Sequence, residues 1–300
     1  MSVARVANAP CSWGVLEFES KVGALRYGRV LDEMVASGYA GTELGDWGFL
    51  PTSPRQLREV LHERGLILMA GFLPVALADP DTHAEGLERA RKIGLLLAAA
   101  GDSPMIVLSD DNGRNAARTR DAGRIRLDQG LTETEWGIFA KAAERIARVV
   151  LEEAGVRTVF HPHCAGFVET PREVESLLDR TDPELLGLCL DTGHCTYGGG
   201  NAVQALRSYA ERIWHVHFKD MQPQVAERAL NEKWDYFQAV ERGLFCELGQ
   251  GAVDFGGFLS ELTRLRYSGW IVVEQDVFPE QGTPLESARR NRAFLRNLGL

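Results

Sequence analysis

Short apolar runs alternate with longer segments of helical spacing along the whole chain. In order, the runs are RVANAP, GTELG, ILMAGFL, MIVLSD, TVFHPH, GLCLDTGH, IWHVHFKD and WIVVEQD, eight candidate strands. Between the fourth and fifth lies TETEWGIFAKAAERIARVVLEEAG, where Trp136, Phe139, Ala140, Ala143, Ile146, Ala147, Val150 and Leu151 recur every three or four residues and define one apolar helix face. Thr132 with Glu135 reads as a capping box at its start, and Gly155 suits its end. The following helix has the same punctuation: Thr170 as cap, Pro171 at the first helical position and Glu173 reaching back.

Eight strand-helix units without a Pro- or Gly-rich linker predict one α/β domain over residues 1–300, a closed (β/α)8 TIM barrel rather than an open sheet. One stretch, NEKWDYFQAVERGLFCELGQGAVDFGG, is too long for an ordinary βα connection. It predicts an aromatic lid insertion at about 221–257 folding over the barrel mouth.

Composition narrows the class. Of 300 residues, 45% are apolar and 25% charged, enough for a substantial core. The longest apolar run, IGLLLAAAG, is about half a membrane span, and the N-terminus lacks the apolar stretch of a signal peptide; the expected location is the cytoplasm. Five scattered cysteines with no C-x-x-C pair fit a reducing compartment and argue against a disulfide framework and a thiolate zinc site. A net charge of −9 opposes binding along a nucleic-acid backbone. Neither nucleic acid nor a membrane is expected as a partner.

The ionisable residues fall into a pattern. His161, His163, His194, His215 and His217 all stand at or just past the C-terminal ends of the predicted strands five to seven, the face where such barrels build active sites. Glu43, Asp191, Asp220, Glu274 and Asp276 join them, whereas Asp110 and Asp111 read as solvated turn acids and Glu17 and Glu19 as surface residues. Trp13 fits either core packing or a sugar-stacking face. Carboxylates and imidazoles from separate strands suit a divalent Mn, Co, Mg, Fe or Zn ion with open positions, which would acidify a C–H next to a carbonyl. Lys219 fits either a cation beside the developing oxyanion or a structural salt bridge.

HPHCAGFVET, LDTGHCTYGGGN, WHVHFKDMQP, CELGQGAVDF and VVEQD, in that order, resemble the xylose isomerase-like barrel superfamily of sugar isomerases and epimerases, and within it the inosose (2-keto-myo-inositol) dehydratases. The resemblance implies Asp191, His217 and Glu274 as metal ligands. Where many relatives carry a Glu near the end of strand five, this chain has His161 and His163; Glu169 is favoured as the fourth ligand, with either imidazole as the alternative. The implied reaction is metal-assisted dehydration of a cyclic polyhydroxy ketone. His161 or His163 and Glu274 or Glu169 would move protons, Lys219 would assist, and Trp13, Glu43, His194 and His215 would contact substrate. A ketose 3-epimerase or sugar isomerase shares the first step and is the alternative; an apurinic endonuclease is disfavoured by the acidic charge. Barrels of this kind often pair, so a homodimer is expected.

Overall fold

Parallel pairing of strand to strand carries the chain once around a closed barrel. The computed structural model describes residues 4–14, 26–275 and 283–300. Glu17, Glu19 and Asp276 lie outside them. The barrel strands are β1 (Arg5–Asn8), β2 (Gly41–Glu43), β3 (Ile67–Val75), β4 (Met105–Asp110), β5 (Arg157–Phe160), β6 (Leu186–Asp191), β7 (Ile213–Phe218) and β10 (Trp270–Val273). They close in the order β1-β10-β7-β6-β5-β4-β3-β2. A two-stranded antiparallel pair, β8 (Asp220–Met221) and β9 (Phe245–Cys246), stands apart from the barrel.

Alternation along each strand sorts the side chains into two cores. Inside the barrel sit mostly small residues, Ala7, Ala9, Ala70, Val107, Val159, Cys189 and Val272 among them. Larger ones such as Leu108, Phe160, Leu188, Val216 and Phe218 pack outward against the helices. Register fixes what lies level with what: Asp191 is beside His217, and His217 beside Val272. Glu274, two residues past Val272, therefore points inward one row nearer the mouth.

The long amphipathic segment is helix Glu133–Ala154, with the Thr132–Glu135 capping box and a left-handed Gly155 at its ends. Thr170, Pro171 and Glu173 start helix Pro171–Arg180 as their pattern predicts. After β6 the chain turns at once into helix Thr192–Tyr197.

Beyond β7 the chain forms β8, helices Pro223–Glu232 and Tyr236–Glu241, and β9. Met221, Ala229, Tyr236, Ala239, Val240, Leu244 and Phe245 join Cys164, Ala165 and Tyr197 in a separate small core at the C-terminal end of the barrel. Helix Phe255–Arg264 then returns to the barrel wall, with Phe255 and Phe258 against Phe218. No helix among the described residues is long and apolar enough to cross a membrane.

Candidate metal and acid-base site

Four side chains from four strand ends meet in the barrel mouth: His161 after β5, Asp191 ending β6, His217 in β7 and Glu274 after β10. His161 Nε2 lies 3.8 Å from Asp191 Oδ2. His217 Nδ1 lies 4.0 Å from the same oxygen and 3.3 Å from Glu274 Oε1. Asp191 Oδ2 and His217 Nδ1 are buried and make no hydrogen bond. Burying an unsatisfied polar atom costs about 1–3 kcal/mol, and two of them face one another here. Two carboxylates and two imidazoles with such atoms converging fit a divalent cation.

Local structure holds each member in place. Asp191 is at once the last residue of β6 and the cap of the next helix: Oδ1 accepts from the His194 N–H at 2.7 Å, which leaves Oδ2 to the cluster. Burial pushes its carboxyl up, but His161 and Lys219 outweigh this and hold it below the ordinary range. Burial likewise raises Glu274, while the positive charge of His217 and of Lys219 holds it well below. Lys219 Nζ lies 3.2 Å from Glu274 Oε2, 3.5 Å from His194 Nε2 and over the Phe245 ring at 4.7 Å. The salt bridge foreseen for Lys219 is thus present, and its ammonium also borders the cluster.

Glu169 is not in the cluster, which corrects the favoured reading of it as fourth ligand. Its Oε1 accepts from the Gly123 N–H at 2.6 Å and its Oε2 from the Ala165 N–H at 2.9 Å, so both oxygens are committed to holding loops. Burial pushes its carboxyl up to about 7. With both oxygens engaged by backbone donors, Glu169 offers no atom to the cluster. The fourth group that converges with Asp191, His217 and Glu274 is His161.

His163 is half-buried and stands against His194, ring centroids 4.0 Å apart, with Tyr236 at 5.8 Å. Burial, then the charges of His161 and Lys219, press its pKa down to about 3, so it is neutral near pH 7. His194 is neutral for the same first reason. Its Nδ1 accepts from the Cys164 N–H at 3.3 Å.

Three expected substrate contacts are placed differently. Trp13 is 2% exposed within the main core, and its Nε1–H donates to Glu33 at 2.7 Å: it packs, and does not present a stacking face. Glu43 and His215 are buried partners of one another, 2.8 Å apart, rather than groups at the mouth. Burial pushes Glu43 up, yet His217 and His215 hold it at about 2, ionised.

Other acids prove to be scaffold. Asp110, expected in solvent, is buried; it accepts from the N–H groups of Leu77 (3.1 Å) and Phe167 (2.8 Å). Asp220 accepts four backbone bonds, from Met221, Gly249, Gly251 and Val253. Arg118, unremarked in the sequence, is wholly buried and joins Glu173 to the carbonyl of Gly166.

A family model described as xylose isomerase-like TIM barrel matches residues 31–298. The chain belongs to the xylose isomerase-like TIM barrel family. Within curated proteins, this family member is 33% identical to an inosose dehydratase of Geobacillus kaustophilus (strain HTA426) over 294 residues, 98% of this chain and 94% of that one. An inosose dehydratase of Clostridium botulinum (strain Alaska E43 / Type E3) is 30% identical, covering 89% and 88% of the two chains. Among solved structures, this xylose isomerase-like barrel superposes on the IOLI protein with a bound zinc atom (TM-score 0.70, 17% identity, 98% and 97% coverage). It also superposes on 3-keto-D-glucoside 4-epimerase, YcjR, from E. coli (TM-score 0.70, 17% identity, 98% and 100% coverage). At such identities these two show a shared fold. The curated relatives make the chain an enzyme.

Proposed function

We propose that this enzyme dehydrates a cyclic polyhydroxy ketone, inosose or a close analogue, with a divalent cation held by His161, Asp191, His217 and Glu274. The observation that carries the reading is the convergence of these four groups on one buried point in a chain that aligns nearly end to end with an inosose dehydratase. Bound there, a divalent Mn, Co, Mg, Fe or Zn ion would supply Lewis acidity, drawing charge from the ketone oxygen and acidifying the neighbouring C–H.

The residues of the chain supply the rest. His163, neutral and only weakly basic because it is buried, would take up the α-proton transiently and pass it on rather than hold it. The α-C–H bond breaks, the C–O bond of the β-hydroxyl breaks, and the proton on His163 passes to the departing hydroxyl, which leaves as water. The enol left behind tautomerises to a diketone. Lys219, anchored by Glu274, places an ammonium beside the growing oxyanion. Tyr236 and Phe245, from the segment beyond β7, stand against His163 and His194 and would exclude water from the reacting carbons. This segment is proposed as the lid, and the enzyme is proposed to work in the cytoplasm, as a homodimer, without nucleic-acid or membrane partners.

The test is direct. The protein loaded in turn with Mn, Co, Mg, Fe or Zn is incubated with inosose, and diketone absorbance is followed. Product formation with at least one ion, abolished in Asp191→Asn, is the expected result. Absence of product with all ions, together with inversion at C3 of a ketose seen by NMR, would replace the dehydratase with an epimerase.

A further inference from the structure

Glu43 reaches across the barrel to touch a strand that is not its neighbour. It ends β2, and its partners lie in β7; β1 and β10 stand between the two strands. On those intervening strands the residues level with His217 are Val272 and Ala7, the latter with only a methyl group, and the path through the barrel stays open. Along it, Glu43 Oε1 comes within 2.8 Å of His215 Nε2 and 3.0 Å of His217 Nε2.

An ionised carboxylate can only accept, so each of these nitrogens must carry its hydrogen. With Nε2–H given to Glu43, Nδ1 is the ring atom left to face Glu274 Oε1 and Asp191 Oδ2, and the one that would give up its proton to a cation. The reverse tautomer would set a bare Nε2 against a carboxylate oxygen, two acceptors at 3.0 Å. Imidazoles that bind metals generally give their remote N–H to a carboxylate or carbonyl, which fixes ring and tautomer together.

We propose that Glu43 is a positioning residue: by accepting from both His215 and His217 it locks the His217 ring with Nδ1 presented to the Asp191–Glu274 pair. His215 is the second anchor, holding the carboxylate at the height where one oxygen serves both rings. Neither residue touches the substrate. The inference rests on the reading of the four-residue cluster as a divalent metal site.

Zinc is the probe. Its affinity is measured by competition with a chromophoric chelator for the parent protein, Glu43→Gln, His215→Gln and Asp191→Asn, and the histidine nitrogens are followed by long-range proton-nitrogen NMR. In the zinc-loaded parent, His217 is expected to show a protonated Nε2 and a metal-shifted Nδ1. Glu43→Gln keeps the shape and loses the charge; zinc affinity should fall about 10–100-fold, the range seen when such outer partners are removed. His215→Gln should weaken zinc less. A purely packing role would lower the melting temperature and leave both the nitrogen signals and zinc affinity unmoved.

Parental affinity in Glu43→Gln, or a protonated Nδ1 in the loaded parent, overturns the inference. Parental affinity in Asp191→Asn overturns the metal-site reading instead. The NMR observation needs no variant, so it decides even if Glu43→Gln does not fold.

Discussion

Arg118 and Glu173 form a two-pronged ion pair, 2.6 and 3.0 Å, between the helix that follows β4 and the helix that follows β5. The arginine has no exposed surface. The same glutamate accepts from the N–H groups of Glu169 and Thr170, so it ties down the loop carrying His163.

Removing one partner of a buried pair leaves the other charged and uncompensated, at a cost of about 3–5 kcal/mol. Glu173→Ala should lose that much in urea denaturation. A loss below about 1 kcal/mol would mean that Arg118 finds another partner and that the pair does not organise the loop.

His161 and His163 should separate cleanly although they are two residues apart. His163→Gln is expected to retain bound metal while kcat falls about 10²–10⁴-fold, the usual worth of a proton-transfer group. His161→Gln should lose metal, read by elemental analysis after dialysis. Loss of metal in His163→Gln with retention in His161→Gln would exchange the two roles.

Asp110 makes stability depend on pH in an unusual sense. Burial pushes its carboxyl up to about 7, against the Phe167 and Leu77 N–H groups, whereas in the unfolded chain it titrates near its ordinary value of about 3.9. Between those values the folded state holds the extra proton. Its contribution is therefore fully present below about pH 4 and is lost as pH rises through 7, with a slope of up to about 1.4 kcal/mol per pH unit. The difference in unfolding free energy between the parent and Asp110→Asn, measured from pH 4 to 8, should change with that sign. A flat difference would show that the two N–H donors keep Asp110 ionised throughout.

Asp220 should act as the pin of the 249–253 loop. Asp220→Ala strands four backbone donors at once, and hydrogen exchange at Gly249, Gly251 and Val253 is expected to accelerate by at least an order of magnitude, since each lost bond is worth about 0.5–1.5 kcal/mol. Unchanged protection at these amides would rule the pin out.

The barrel was legible because each strand is a contiguous apolar run and each cap sits within three residues of its helix start; these are local signals. Asp191, His217 and Glu274 were legible for a related reason: position at a strand end nearly determines position at the mouth. Glu169 was misread because the path of the loop from His161 to Thr170 is set from elsewhere. Asp110 takes the Phe167 N–H, Arg118 the Gly166 carbonyl and Gly123 an oxygen of Glu169, contacts spanning about fifty residues with no local pattern. Ala165 and Val168 even adopt left-handed backbone, φ 72° and 66°, with no glycine to announce it. Asp110 itself looked like a turn acid because nothing in its neighbours shows that a distant loop will cover it.

The pairing of β1 with β10 also bears on the order in which the molecule becomes competent. Glu274 follows the last barrel strand, which pairs with the first. During synthesis, when earlier segments emerge and begin to organise first, Asp191, His161 and His217 are all present while the fourth group is still missing. On the proposed metal reading, a nascent chain would carry a three-sided, weaker chelator, completed only by ring closure. Cation capture would in this way report on completion of the fold, and loading a refolding chain with metal should accelerate or stabilise its last step rather than its first.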